Sequence, residues 1–285
     1  MEYQANESIS LTDVLTRLAP GSSKSAQRNW VKVGRVTLDG RLVSRFDTPV
    51  KPGQKVRLAH KSKPLYQDLS IVYEDKHLVV IDKPKGLLSV ASNFETQKTA
   101  HAILKEHYAP QRVFVIHRLD QDTSGVMLFG LSDEGFEGLK DDFKTHSLQR
   151  LYIAIVEGHL EEGQGTWTSY LWEDAAYRVH STNDPTKGEK AITHFEVKAT
   201  SRRYSWMELT LETGKKNQIR IHCQEAGHPI VGDTKYGASS NPLKRLCLHA
   251  HVLAFHHPVT KKWMKFIAPP PDEFFKLVNP KGRHA

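Results

Sequence analysis

From Ile71 onward the chain alternates apolar and polar residues in run after run, with turn-forming residues closing each run. "IVYEDKHLVVIDKP", "VFVIHRLDQDTSGVMLFG", "RLYIAIVEG", "KAITHFEVKAT", "YSWMELTLETG", "RLCLHAHVLAFHHP" and "KKWMKFIAPPP" all read this way. In the fourth run, Thr193, Phe195 and Val197 alternate with His194, Glu196 and Lys198. A period of two sends successive side chains to opposite faces, so such runs bury a face as strands and not as helices. Three segments break the rule with helical spacing. "ETQKTAHAILKEHY" is amphipathic. "SDEGFEGLKDDFKTH" puts Phe136, Leu139 and Phe143 on one face, with acids in the first turn where the helix dipole favours them. "NQIRIHCQEAGHP" turns Ile219, Cys223 and Ala226 inward and stops at Gly227 and Pro229. Many strands, hairpin connections and few helices predict an α+β domain with a mixed, largely antiparallel sheet.

The first quarter is different. Residues 1–65 hold 12 Lys/Arg against 5 Asp/Glu, whereas the remaining 220 hold 28 against 27. Nearly all of the net charge of +8 therefore sits in one short segment. Leu11, Val14, Leu15 and Leu18 recur at helical spacing behind a cap at Ser10 or Thr12, and "PGSS" breaks that helix. A second helix starts near Ser23, turns Trp30 and Val31 inward and ends at Gly34. "RVTLDGRLVS" carries Asp39-Gly40, a strong hairpin signal, and "VKPGQKVRLA" adds a turn and a strand. Two helices feeding a hairpin make a small αα-β basic domain, expected over residues 1–60. Residues 61–69 read as a linker and 70–285 as the main domain. A basic module attached to a nearly neutral domain suits a polyanionic partner.

Composition narrows the classes further. No apolar run approaches the ~20 residues that cross a bilayer, and the opening "MEYQANESIS" does not read as a signal or transit peptide. The only cysteines are Cys223 and Cys247, with no CxxC, so neither a disulfide framework nor a Cys-based zinc site is expected. A cytoplasmic monomer is the default expectation. The cluster His249, His251, His256 and His257 fits no zinc spacing and reads as packed or surface histidines. There is no GxSxG for a serine hydrolase, and no Walker or dinucleotide glycine pattern, so no metal, nucleotide or flavin cofactor is expected.

What remains is the polar insert of residues 113–130, in which His117, Arg118, Asp120, Asp122, Thr123 and Ser124 lie between two strand-like runs. An Asp in a turn caps its own backbone or joins a salt bridge as readily as it does chemistry, so spacing alone leaves Asp120 open between structure and catalysis. Arg220, in the first turn of a helix, and Tyr152, at the head of a strand, are the other candidates.

These residues carry a resemblance. "HRLDQDTSGVMLFG" resembles the central motif of the RluA-type pseudouridine synthases, "IDKPKGLLSV" their first motif and "RLYIAIVEG" their K/R-x-Y-x-A motif. "GKKNQIRIHCQEAGHPIVGDTKYG" and "RLCLHAHVLAF" are similar to their carboxyl-terminal motifs. The match runs in order from about residue 70 to 270. The basic segment resembles the S-four-like RNA-binding module, with Lys24-Ser25 where Ser-Arg is frequent and Thr37-Leu38-Asp39-Gly40 where Val-Asn-Gly is frequent. Lys keeps the charge there but not the bidentate fork of Arg.

The resemblance implies a sheet with helices and loops framing a central cleft. It also implies an RNA isomerase that converts specific uridines to pseudouridine without a cofactor. Asp120 matches the essential aspartate, Tyr152 the active-site tyrosine and Arg220 the arginine that pairs with the aspartate. Arg118 matches an arginine that enters the RNA as the target nucleotide leaves the stack, and Leu248 the apolar residue beneath the uracil. His117, Lys83 and Gln218 fall in the same motifs and are expected at the substrate. Where relatives commonly read Gly-Arg-Thr-His-Gln, this chain has Gly214-Lys215-Lys216-Asn217-Gln218, which puts the RNA contacts there in question. The reaction breaks the bond from ribose to uracil nitrogen and rebonds the base through carbon five, with Asp120 as either nucleophile or base. Structured ribosomal RNA is the expected partner, with transfer RNA as the alternative substrate. A non-catalytic RNA-binding or ribosome-assembly factor on the same scaffold, and a base-excising glycosylase, are the competing classes.

Overall fold

The computed structural model describes residues 1–32, 35–43, 45–58, 63–66, 69–91, 98–145 and 148–278. Its first part contains β1 (Glu2–Gln4), β2 (Ile9–Ser10), α1 (Leu11–Leu18), α2 (Lys24–Lys32), β3 (Val36–Leu38), β4 (Arg41–Leu42), β5 (Pro49–Val50) and β6 (Lys55–Leu58). Ser10 starts α1 by accepting the Asp13 amide through its hydroxyl (3.1 Å), which satisfies one of the free donors of the first turn. Leu11, Val14 and Leu15 are then buried, as their spacing predicts. Gln27 of α2 donates to Thr16 and Ser22 (both 2.9 Å), tying the two helices together. Asp39 and Gly40 both have positive φ (50° and 82°), the backbone that a two-residue hairpin requires and that Asp-Gly supplies with least strain. Strands pair in the order β1-β6-β3-β4 over a core of their own, which includes Val14, Val36, Val50 and Val56. Gly34, expected to stop α2, lies outside the described residues.

The second part begins earlier than the sequence suggests. Within the stretch read as a linker, β7 (Lys63–Tyr66) pairs with β8 (Leu69–Glu74), so the main sheet starts there. Then follow β9 (Leu78–Lys83), α3 (Ala100–Tyr108), β10 (Phe114–Val115), β11 (Ser124–Gly130), α4 (Asp133–Thr145) and β12 (Gln149–Glu157). The chain continues through β13 (Gln164–Glu173), β14 (Val179–Thr182), β15 (Glu189–Thr200), β16 (Tyr204–Leu211), α5 (Gln218–Glu225), β17 (Leu248–His256), β18 (Trp263–Ile267) and α6 (Asp272–Val278). The sheet order is β14-β13-β15-β16-β12-β17-β11-β9-β8-β7, with β10 added to β11 and β18 to β17. The domain is a mixed α+β fold, and its sheet is antiparallel except at one seam. No described helix is long and apolar enough to cross a membrane.

That seam positions the polar loop that precedes β11. Strands β11 and β17 run parallel and pair only through Ser124–His249 and Gly125–Ala250. Beyond those two pairs, β10 bonds to β11 and β18 to β17, so the sheet parts into two wings. The contact is close enough that only glycine fits. Gly125 has φ +117°, and a Cβ there would lie 2.2 Å from the Ala250 carbonyl oxygen. On its other side Ala250 pairs with Tyr152 of β12, after a register shift between Leu151 and Tyr152. Ala250 thus has Gly125 on one flank and Tyr152 on the other. The polar loop preceding β11 is delivered to the same spot.

Candidate active site

Asp120 sits in that loop between two residues that are tied down. The hydroxyl of Ser89 donates to the Leu119 carbonyl (2.6 Å) and accepts the Leu119 amide (3.0 Å). The Gln121 carbonyl accepts the Gly86 amide (2.9 Å) and a proton of Lys83 Nζ (3.0 Å). The segment resembling a first motif, "IDKPKGLLSV", therefore acts as a brace for the loop that carries the aspartate.

The guanidinium of Arg220 faces Asp120 from the first turn of α5, with Nη1 3.3 Å from Oδ2. These side chains are 12% and 24% exposed, which puts the pair at the edge of the solvent and not in it. Arg220 has a tighter partner that the sequence reading did not single out. Its Nε and Nη2 each donate to Asp233 at 2.7 Å, in a bidentate pair whose carboxylate is buried. Its Nη1 also reaches Asn217 Oδ1 (3.2 Å), and its plane lies over the Tyr236 ring, 4.8 Å from the centroid. Burial alone would lower the pKa of the guanidinium, but Asp233 first and Asp120 second hold it above its ordinary value. Asp233 was legible only as part of "GDTKYG"; nothing in its spacing announced its partner.

Asn217, which departs from the common family pattern, is built into this cluster. It enters α5 from the left-handed region (φ 56°), where Asn is better tolerated than most residues. Its Nδ2 donates to the Tyr236 hydroxyl (2.8 Å) while its Oδ1 accepts from Arg220.

Behind Asp120 and Arg220 a recess is lined by Tyr152, Leu248, Leu211, Ile219 and Thr123. Tyr152 and Leu248 are both buried there. Burial pushes the Tyr152 phenol above its usual pKa, with Arg150 opposing and Asp120 adding to the shift. In front, a cleft of about 720 Å³ is lined by Lys85, Arg118, Lys216, Lys235 and Lys244 together with Asp120 and Asp122. Arg118 is exposed and lines both spaces. Asp120, Arg220, Tyr152, Leu248 and Arg118 are therefore brought together.

Three residues expected at the substrate spend their polar groups on hydrogen bonds within the protein, although Gln218 also lines the recess. Lys83 is fully buried, and its ammonium donates to the carbonyls of Pro84 (3.0 Å), Leu87 (2.7 Å) and Gln121 (3.0 Å). All three protons are used, so Lys83 props the loop. Burial brings its pKa down to about 7, although Asp122 and Asp120 favour the charged form. Gln218 accepts from the Lys215 amide (3.0 Å) and the Thr213 hydroxyl (2.8 Å), and donates to the Ile192 carbonyl and Thr193 Oγ1 (both 2.9 Å). His117 accepts the Leu128 amide at Nε2 (3.0 Å) and stacks on Phe143, with burial first and Arg150 second pushing it down to about pKa 3. It is a neutral pin.

His249 and His251 of the histidine-rich strand are likewise structural. Ser124 bridges Arg245 Nη2 (2.6 Å) and His249 Nδ1 (2.9 Å). His249 Nε2 and His251 Nδ1 both reach the Ala268 carbonyl, at 3.0 and 2.7 Å. Arg245 is itself paired with Glu273 of α6 (3.5 Å), so the C-terminal helix supports the seam from behind.

Residues 77–225 match the family model described as RNA pseudouridylate synthase. The chain is 31% identical to the ribosomal large subunit pseudouridine synthase D of Haemophilus influenzae, over 94% of this chain and 90% of that protein. It is 41% identical to the dual-specificity RNA pseudouridine synthase RluA of Pasteurella multocida, over 71% of this chain and 93% of that protein. Among solved structures, human RNA pseudouridylate synthase domain containing 1 aligns with a TM-score of 0.61 at 24% identity, covering 76% of this chain and 89% of that one.

Proposed function

Given that the chain belongs to the RNA pseudouridylate synthase family and is an RNA isomerase, we infer that Asp120 is its reacting carboxylate and that large-subunit ribosomal RNA is its substrate. The observation that carries the first point is the meeting of Asp120 with Arg220 at 3.3 Å, between a basic cleft and an aromatic recess. A carboxylate placed there can attack the anomeric carbon or remove the neighbouring ribose proton, with the Arg220 guanidinium beside it. Tyr152 then offers the detached uracil a ring face and a hydroxyl near carbon five, with Leu248 supplying the apolar floor. Arg118, exposed and without an ion-pair partner among the described residues, is free to replace the departing nucleotide in the RNA stack. Extruding a uridine costs a few kcal/mol of stacking, which such an insertion offsets.

The choice of RNA rests on the basic first part of the chain, which we read as an S-four-like RNA-binding domain of residues 1–60. The large-subunit relative aligns over 94% of this chain, whereas the dual-specificity relative aligns over 71% of it. Transfer RNA is the second reading; the 41% identity to a relative named for dual specificity supports a second class of RNA substrate. Chemical mapping of pseudouridine in ribosomal and transfer RNA from a deletion strain, with and without the gene restored, tests both. A site that disappears from large-subunit RNA and returns on complementation supports the first. A loss confined to transfer RNA supports the second, and no lost site in either contradicts both.

A further inference from the structure

The β13–β14 hairpin, residues 164–182, was not anticipated from the sequence and takes no part in the site described above. Its turn is unusually well fixed for an exposed loop. Asp174 Oδ1 accepts the amides of Ala176 and Arg178 (both 2.9 Å), and Oδ2 bonds His180 Nε2 (2.7 Å). The backbone closes twice, from the Asp174 amide to the Arg178 carbonyl and from the Tyr177 amide to the Asp174 carbonyl (both 2.9 Å). Trp172 and His180 stack across the strands with centroids 4.9 Å apart. This rigid frame holds one large ring in water: Tyr177, 69% exposed, at a left-handed φ of 60° that an aromatic residue seldom adopts. Strain of this kind, in a turn bonded so fully, is a feature that the surrounding structure maintains.

The hairpin tip is continuous with the cleft. Lys216, which lines the cleft, pairs with Glu173 and lies with Nζ 5.7 Å from the Tyr177 ring centroid. Arg178 donates to the Lys235 carbonyl (3.3 Å), and Lys235 also lines the cleft, with no ion-pair partner among the described residues. Burial and the positive charges of Arg220, Lys216 and Arg178 pull the pKa of Lys235 down, a crowding that a bound anion would relieve.

We propose that the tip of the β13–β14 hairpin is a second RNA contact, in which the Tyr177 ring stacks on a base beside the extruded one while Lys216 and Lys235 hold the intervening phosphates. This rests on the reading that RNA occupies the cleft. A preformed aromatic face suits an unpaired base of any identity, and flanking cations suit its backbone. Hydrophobic docking of a protein would instead require a contiguous apolar patch, whereas Glu173, Arg178 and Lys216 flank the tip and Trp172 is stacked on His180.

The test is a salt titration of affinity for unmodified, transcribed large-subunit ribosomal RNA by the full chain and its Tyr177→Ala, Tyr177→Phe, Lys235→Ala and Trp263→Ala variants. Ala adds no backbone strain that Tyr did not already bear at this position. Tyr177→Ala should weaken binding about 10-fold with an unchanged slope of log affinity against log salt, because stacking releases no counterions. Tyr177→Phe should bind like the wild type, and Lys235→Ala should reduce the slope by about 1. Trp263→Ala, which removes an exposed ring that lines neither the cleft nor the recess, should change nothing. Wild-type affinity in Tyr177→Ala overturns the proposal, as does a weakening equalled by Trp263→Ala. Tritium release from uracil carbon five of the same RNA by the wild type, scored separately, decides the isomerase reading; the affinity ratios decide the stacking contact whichever way that assay falls.

Discussion

Arg220 gives Asp233 two hydrogen bonds of 2.7 Å and Asp120 a single one of 3.3 Å. One guanidinium is thus clamped by a buried carboxylate and only leans on the other. The consequence for Asp120 is that it feels a fixed positive charge while one of its oxygens stays clear of that contact. A bidentate pair with Asp120 itself would have occupied both. Asp233→Asn removes the charge that orients Arg220, and the rate at saturating RNA should fall about 10- to 100-fold, the scale of a displaced catalytic group. RNA affinity should hold, because Asp233 is buried. Single-turnover rates measured alongside binding check this, and a loss of affinity matching the loss of rate would contradict it.

Lys83 supports the other side of the same loop. Replacing it with Met removes a buried charge together with three hydrogen bonds to carbonyls, two effects that oppose each other in stability. Thermal melting should therefore shift little, while the rate falls about 10-fold because Gln121, next to Asp120, loses its tether. Melting curves and rates on the same preparation separate the two.

The seam tolerates no side chain at Gly125. Ala would bring a Cβ to 2.2 Å from the Ala250 carbonyl oxygen, at a φ that L residues rarely adopt. Strain and overpacking together should destabilise the fold by roughly 3 kcal/mol or more. Urea denaturation of Gly125→Ala measures it, and a midpoint equal to the wild type would show that β11 and β17 do not approach as described.

Acid sensitivity should begin above the carboxylate range. Burial lowers His249 to about pKa 3 and His222 and His251 to about 4, from an ordinary value of 6.5. Folded pKa values below the unfolded one mean that the unfolded chain takes up protons first as the pH falls. Stability is then full above about 6.5 and declines from there toward 3 to 4, each histidine contributing up to roughly 1.4 kcal/mol per pH unit. Urea midpoints at pH 7, 6 and 5 should drop at each step, and a flat profile over that interval would contradict neutral burial.

Much of the main sheet was readable because period-two alternation forces a register: β8, β9, β12, β15, β16 and β17 fall where the pattern puts them. So do α1 and α4, whose apolar residues recur at helical spacing. Short or irregular elements were not readable. Strand β7 hides in a stretch of Lys, Pro and Tyr, and β13, β14 and α6 carry no clean alternation or cap. At the site, Asp120, Tyr152 and Arg220 were named from motif resemblance, and the fold brings them to one seam. Lys83, Gln218 and His117 share those motifs, yet their hydrogen bonds turn inward, and a motif does not say which way a side chain faces. Asp233 shows the converse: its importance arises only when residues 13 positions apart meet across a turn.

The central claim is that one carboxylate at the seam begins the isomerisation. Release of tritium from RNA labelled at uracil carbon five, by the wild type and by Asp120→Asn, measures it directly. Release by the wild type, at least about a thousandfold less by the variant, and equal RNA binding by both are the predicted results. Equal release by the two proteins would contradict the assignment.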